Sequence, residues 1–575
     1  MLKRYLPALS WLPHYHRRLL GADLLAGLIV TVMVIPQSLA YALLAGLPAV
    51  VGLYASLLPA VLYALLGTSR TLAIGPVAII ALMTGAALSN VATPGSAAYV
   101  EAALVLSLLS GAMLLTMGLL RLGFFANFLS HPVIAGFLSS SAVLIAISQA
   151  AHLAGVEAGG YNALDLVGSL AGNLALLHWP TLAIGLGTLL FLIVSRRFAA
   201  PLLTRLGLAA STAALIARGA PVLAVVATTL LSWRLGLAED GMAVVGEIPA
   251  GLPPLTLPSV DLSLWKALMI PALLISVVGF VESISMAQML AARRRQRISP
   301  NQELVGLGGA NLAAAFTAGM PVTGGLSRTV INDEAGAQTP MAGLFAALGI
   351  GAVILAFTPL LYHLPIATLA ATIIVAILTL VDIPLIRQTW RYSRSDFSAM
   401  AATILLTLVE GVEAGIISGV VLSIGLFLYR TSRPHSAVVG LIPGTEHFRS
   451  MRRHEVETLT NVAFLRIDES LYFANARYLE DTVLDMVARQ PGLDHVVLIC
   501  SAVNLIDASA LESLDALNER LREAEVTLHL AEVKGPVMDR LKRSDFLDDL
   551  TGRVFLSTYA AWQALKPPPE PEEAP

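Results

Sequence analysis

Apolar runs of about twenty residues recur along this chain from Asp23 to Tyr429, separated by short polar breaks. At an α-helical rise of 1.5 Å per residue, such a run crosses the ~30 Å hydrocarbon core of a bilayer. The runs near 23–45, 49–66, 99–120, 132–151, 178–198 and 213–236 predict spanning helices. So do those near 264–291, 301–317, 340–358, 362–381, 396–411 and 413–430. Two shorter stretches do not fit: TSRTLAIGPVAII (Thr68–Ile80) and MPVTGGLSRTVIND (Met320–Asp333). Gly75–Pro76 interrupts the first, and Pro321 with Gly324–Gly325 opens the second. The second also carries Arg328. A charge at membrane depth is costly, so its presence marks a functional site by default.

Counting the two short segments gives fourteen, seven on each side of an acidic connection at 237–262 that holds Glu239, Asp240, Glu247 and Asp261. An odd number per half inverts the second half relative to the first, the plan of many secondary transporters. The third element of each half is the broken one. With residues 1–22 (Lys3, Arg4, Arg17, Arg18) placed inside, the positive-inside bias puts Arg70, Arg121, Arg196, Arg197, Arg205, Arg218 and the 293–297 cluster inside as well. The expected organisation is a cytoplasmic flank (1–22), a first repeat (23–236), the outer connection (237–262) and a second repeat (263–433). A soluble cytoplasmic domain (434–565) and a disordered Pro/Glu-rich tail (566–575) follow. Nothing marks a removable leader.

Composition agrees with a polytopic membrane protein: 56% of the 575 residues are hydrophobic and 13% charged, against about 25% charged in soluble chains. A single cysteine, Cys500, excludes a disulfide framework, and the 11 histidines show no metal-ligand spacing. Phosphate-cradling P-loops and hydrolase motifs are both lacking, so no enzyme, cofactor or nucleic-acid partner is expected. From 435 the pattern changes. Buried strands at 460–468, 495–501 and 526–533 alternate with helices at 476–490, 509–522 and about 536–543, which predicts a sheet covered by helices.

The glycines and prolines of the two broken stretches would let extended chain turn into half-length helices near the bilayer centre. Exposed N–H groups and the helix dipole then make an anion site, and the inverted halves would point two such ends at one cavity. Arg328 either attracts the anion or pairs with an acid such as Glu282. Glu282 lies inside an apolar span, either as the carrier of a coupling cation, most simply a proton, or as the counter-ion of Arg328. Gln37, Ser38, Tyr41, Thr323 and Ser327 suit hydrogen bonding to an anion. Asp382, Glu410 and Glu413 fall at helix ends.

IPQSLAYALLAGLPAVVGLYASLLPAVLYALLGTSRTLAIGP (35–76) resembles the signature of the sulphate permease (SulP) family of anion transporters. GFVESISMA, NQELVGLGGANLAAAFTAGMPVTGGLSRTVINDEAGAQT and IPGTEHFRSMRRHE (442–455) fit the same family. The C-terminal region resembles a STAS domain, and the likeness covers nearly the whole chain. It implies a seven-plus-seven inverted repeat, a core domain moving against a gate domain, and a homodimer. It implies a substrate site at Gln37 and Tyr41, at Gly75, Pro76, Val77 and Ala78, and at Gly325, Leu326, Ser327 and Arg328, with Glu282 at the coupling-ion position. Met286 and Leu326 stand where sodium-coupled relatives carry hydroxyls, which favours protons or exchange. Ser509, in LIDASAL, matches the phosphorylatable serine of STAS-like antagonists and otherwise reads as a helix N-cap. The expected function is secondary transport of a small oxyanion, sulphate first, by proton symport or exchange across the inner membrane. Bicarbonate or C4-dicarboxylate transport, an anion channel and a membrane-anchored anion sensor are the alternatives.

Overall fold

A computed structural model describes residues 6–124, 130–160 and 162–567, with the backbone alone at Ser211, Ala214 and Leu215. Lys3, Arg4 and the tail from 568 lie outside the described residues. Two compact units emerge, Met1–Ser423 and Ile424–Pro575.

In the first unit the apolar runs form helices close to their expected limits. They are α1 (Arg17–Leu44), α2 (Ala49–Tyr54), α3 (Leu58–Leu66), α4 (Ala78–Ser89), α5 (Ala97–Leu119), α6 (His131–Ala154), α7 (Trp179–Arg205), α8 (Ala210–Arg218) and α9 (Ala220–Leu235). The second series is α10 (Leu262–Arg293), α11 (Pro300–Phe316), α12 (Leu326–Glu334), α13 (Met341–Ala356), α14 (Ile366–Ile377), α15 (Ile383–Tyr392), α16 (Arg394–Val409) and α17 (Val412–Ser432). The last straddles the boundary between the units. Eight helical stretches among the described residues, with Ala49–Leu66 and Ile366–Tyr392 each taken as one, are long and apolar enough to cross a membrane.

Some boundaries differ from expectation. The 49–66 span is two helices, because three turn residues ending at Leu57 separate α2 from α3, which Pro59 then opens in its first turn. Pro36 stays inside a continuous α1. The amphipathic α15 is an addition, started by Asp382 as N-cap. Glu410 and Glu413 sit at the end of α16 and the start of α17, as expected.

The packing is reciprocal between the repeats. α1 lies on α13, and its counterpart α10 lies on α5. α4 touches α10, and α12 touches α1. α6 packs on α16, and α14 on α7. Each pair is matched by its inverted equivalent, which is what an inverted repeat requires. The helices form two bundles, α1–α5 with α10–α13, and α6–α9 with α14–α17. Two fully buried carboxylates tie the repeats together. Glu303 accepts from Tyr63 OH (2.6 Å), from the Thr68 amide (2.7 Å) and hydroxyl (2.5 Å), and from the Ser69 amide (3.0 Å). Asp23 accepts from the Gln338 and Thr339 amides and the Thr339 hydroxyl. A buried charge is tolerable only with such partners.

The second unit is a six-stranded sheet of order β4-β3-β5-β6-β7-β8. Its strands are β3 (Ser436–Leu441), β4 (Phe448–Ser450), β5 (Val462–Ile467), β6 (His495–Ile499), β7 (Thr527–Ala531) and β8 (Val554–Phe555). β5 to β8 run parallel, and β3 is antiparallel to both neighbours. Leu479 and Val483 (helix 476–489), Leu514 and Leu517 (helix 508–523) and Val537 (helix 535–541) bury one face. Trp562 covers Phe464 on the other. Three strands were expected from alternation; β3, β4 and β8 were not singled out. Ser509 is exposed and is not the N-cap. That role belongs to Asp507, whose carboxylate accepts from the Ala510 amide.

Within this sheet His529 is buried beside His495 (Nε2 to Nδ1, 3.3 Å), and its Nδ1 accepts from the Arg553 amide. Burial, the His495 ring and Arg553 together lower its pKa from 6.5 to about 4. The folded state therefore binds fewer protons than the unfolded chain, and its stability is complete above 6.5 and lost as pH falls toward 4. Calorimetric unfolding of residues 434–567 should show a midpoint that drops through this window, with a shallower drop in His529→Gln. A flat profile in both proteins would refute the assignment.

Candidate functional site

The two short stretches meet at the centre of the first unit. Ile74–Gly75 (β1) pairs antiparallel with Thr323–Gly324 (β2), Ile74 opposite Gly324 and Gly75 opposite Thr323. Backbone polar groups at membrane depth must be satisfied within the protein, and the two extended pieces satisfy each other. The Gly325 amide extends the pairing to the Ala73 carbonyl (3.3 Å). Side chains fix the flanks. Asn311 grips both backbone groups of Val322 (2.8 and 2.9 Å). Ser283 accepts from the Gly324 amide (2.9 Å), and Thr323 donates to the Gly279 carbonyl (2.7 Å). The Thr329 hydroxyl accepts from the Ala73 amide (3.1 Å).

A helix leaves each strand. α4 begins at Ala78 with Val77 as N-cap, and α12 begins at Leu326 with Gly325 as N-cap; neither has a side-chain cap. Pro76 thus stands before the helix, not in its first turn. The first N–H groups of both helices have no intrahelical partner, and each end carries about half a positive charge. Both ends open on one small cavity of about 40 Å³. By the volume one water needs, that is room for roughly three waters, the size class of a small oxyanion.

This cavity gathers Gln37, Tyr41, Pro76, Val77, Ala78, Glu282, Gly325, Leu326, Ser327 and Arg328. Of the substrate residues the resemblance implied only Gly75 is missing from its wall; Ser38 and Thr323, also expected to bond an anion, do not line it. Gly75 lies behind it, where a Cβ would collide with Arg328 Nη1. The fourth wall was not foreseen: Ala376, Ile377, Thr379 and Leu380, from the end of α14 and the 3₁₀ turn Leu378–Leu380 of the other bundle. Nothing in an apolar run with one threonine distinguishes such a wall from ordinary packing. Asn311 left a faint trace, a lone amide in a run of alanines and glycines. A second cavity of about 570 Å³ shares Gln37, Leu326, Ser327, Ala376 and Thr379 with the first and widens toward Arg196, Arg218 and Glu334.

Arg328 is 4% exposed and does not pair with Glu282. Its Nη1 donates to the Ile74 carbonyl (3.0 Å), and its Nη2 to the Pro76 carbonyl (3.2 Å) and Ser38 Oγ (3.4 Å). Placing an arginine at membrane depth costs about 3 kcal/mol, while hydrogen bonds from a charged group return ~1.5–3 kcal/mol each. Three such bonds hold the cation in place without a carboxylate. The permanent-counter-ion reading of Glu282 is therefore not what the geometry supports. Glu282 Oε2 is buried with no hydrogen-bond partner among the described residues.

Fold and cavity together define a multi-pass membrane transporter built on an inverted repeat, with an α/β domain after it. The chain matches the sulfate permease family over residues 20–403 and the STAS domain over 453–561. It belongs to the sulfate permease family. It is 35% identical to a probable sulfate transporter of Mycobacterium tuberculosis, over 97% of this chain and 98% of that one. It is 34% identical to the chloroplastic sulfate transporter 4.1 of Arabidopsis thaliana, over 96% and 80%. In fold it is similar to the murine anion transporter Solute Carrier 26 family member A9 (TM-score 0.88, 24% identity, 97% and 94% covered). The transmembrane domain of a cyanobacterial bicarbonate transporter is a more distant likeness (TM-score 0.60, 23% identity, 70% and 98% covered).

Gly75→Ala tests the close approach of Arg328 to β1. The added methyl should push the guanidinium off the Ile74 carbonyl and weaken anion binding by more than about tenfold, the scale of one charged hydrogen bond. Calorimetric binding at the wild-type value would show that the contact does not matter.

Proposed function

We propose that the chain is a secondary active transporter of a small oxyanion, sulfate before others, working across the cytoplasmic membrane with both termini inside. The observation that carries this reading is the pair of uncapped helix ends, α4 and α12, opening with Arg328 on one cavity. Two half-charges and one guanidinium suit an anion, and the sulfate transporters named above favour sulfate. The anion would lie between the amides of the first turns and the Ser327 hydroxyl, with Gln37 and Tyr41 bounding it. Glu282 would take or release a proton beside it, giving symport or exchange. Met286 and Leu326 offer no oxygen to a sodium ion.

The cavity is walled by both bundles, so movement of one against the other would open it to alternate sides. The bundle of α1–α5 and α10–α13 would carry the site, and the other would serve as the fixed gate of a homodimer. The larger cavity reaches the Arg196–Arg218 face, the cytoplasmic one by the positive-inside bias.

Uptake of labelled sulfate into proteoliposomes, with and without a proton gradient, tests the reading. Accumulation should follow an inward proton gradient or internal counter-anion. Arg328→Ala should raise KM more than about tenfold, and Glu282→Gln should remove the proton dependence. Bicarbonate or fumarate uptake without sulfate uptake would overturn the substrate assignment.

An ion pair between Arg218 and Glu334 joins the bundles at the wide cavity's mouth and must part when they move. Both side chains are more than a third exposed, so the pair is worth ~0–1 kcal/mol. Glu334→Gln should slow labelling of a cysteine at Thr379 from the cytoplasmic side by roughly two- to fivefold. Unchanged labelling would remove the pair from the transport cycle.

A further inference from the structure

We infer that Ser38 and Ser56 form a positioning pair for Arg328, so that Ser56, which lines neither cavity, sets anion affinity. This deepens the transporter reading and rests on it.

Ser38 and Ser56 are buried, 0% and 2% exposed, with their hydroxyls 2.8 Å apart. Ser56 follows α2 and donates its hydroxyl hydrogen to the Gly52 carbonyl (2.9 Å). With that hydrogen committed, Ser56 is left as an acceptor, and Ser38 donates to it. A hydroxyl has one hydrogen and two lone pairs. Ser38 then presents a lone pair, not its hydrogen, to Arg328 Nη2 (3.4 Å). The bonds run in one direction: Arg328 to Ser38, Ser38 to Ser56, Ser56 to Gly52. Without Ser56, the Ser38 hydrogen is free to swing toward the guanidinium, where it opposes the charge.

The helices are locked at this point. A Cβ on Gly52 would collide with the Ser38 carbonyl, so α1 and α2 meet backbone to backbone. Ser38 therefore cannot slide away from Ser56, and its position relative to Gln37 and Tyr41 is fixed. Arg328 has two further bonds, to Ile74 and Pro76, which tie it to the half-helix of the first repeat. The Ser38 bond is the longest of the three and the only one to a side chain. It fixes the tilt of the guanidinium plane about an anchor the two carbonyls already supply.

The alternative role for the two serines is helix–helix adhesion, which neutral polar residues commonly provide in membranes. Adhesion predicts a loss of thermal stability without a specific loss of anion affinity. Positioning predicts the reverse split. The Ser38 lone pair serves a cation, whereas adhesion would be satisfied by either orientation of the hydroxyl pair.

The test is sulfate transport by the full-length protein carrying Ser56→Ala, Ser56→Thr or Ser38→Ala, with calorimetric sulfate binding and thermal unfolding measured on each. Ser56→Ala should raise KM and Kd for sulfate by roughly three- to tenfold, the scale of one ordinary hydrogen bond. kcat should be little changed, and Ser56→Thr should restore KM. Ser38→Ala should match or exceed the loss. Wild-type affinity in Ser56→Ala, or a stability loss of the same size in Ala and Thr variants with KM unmoved, would overturn the inference. Wild-type protein that binds no sulfate would instead overturn the transporter reading.

Discussion

Everything at the centre of the membrane unit depends on one constraint: backbone N–H and C=O groups cannot be left open in hydrocarbon. Two chain segments that break out of helix at that depth must find partners. They find each other in the β1–β2 pairing and in the amide and hydroxyl groups of Asn311, Ser283 and Thr329. Two first turns without side-chain caps face one small space. The arrangement leaves a small space, largely apolar in its walls, onto which two helix N-termini and Arg328 open, the place proposed for the anion.

Arg328 joins the two halves of this device. It rises from the second repeat's half-helix and bonds carbonyls that lead into the first repeat's half-helix. Its charge is thereby shared by both ends, and Gly75 must lack a side chain for it to arrive. The site and the fold cannot be separated here. The contacts that hold the repeats together also set the field at the cavity. Glu303 and Asp23 do a different job, fixing the connecting loops of one repeat against helices of the other.

Much of this is legible in the sequence. Long apolar runs, odd numbers per half and positive-inside charge lead to the inverted plan. The two misfit stretches, with Gly75–Pro76 and Gly324–Gly325, lead to the site. Seven residues of these stretches line the cavity, Val77, Ala78 and Leu326 among them named only by the family resemblance, and Gln37, Tyr41 and Glu282 join them from other spans. What the sequence hides is what depends on contact between distant segments. Thr379 and Ala376 look like residues of an ordinary apolar helix until the second bundle is placed beside the first. Glu303 reads as a polar residue near a helix start, yet it is fully buried because Tyr63, Thr68 and Ser69 come to it from 234 or more positions away. Asp507 rather than Ser509 caps its helix because extended backbone at 507 aims the carboxylate at the Ala510 amide, a matter of one residue that spacing cannot fix.

The most direct test of the central claim is an experimental structure with selenate, a sulfate mimic with its own anomalous signal. A single strong peak is expected between the first turns of α4 and α12, within hydrogen-bond distance of backbone N–H groups from both and bounded by Ser327. A peak near Arg196 and Arg218 alone, with the space between the two helix ends empty at saturating selenate, would contradict it.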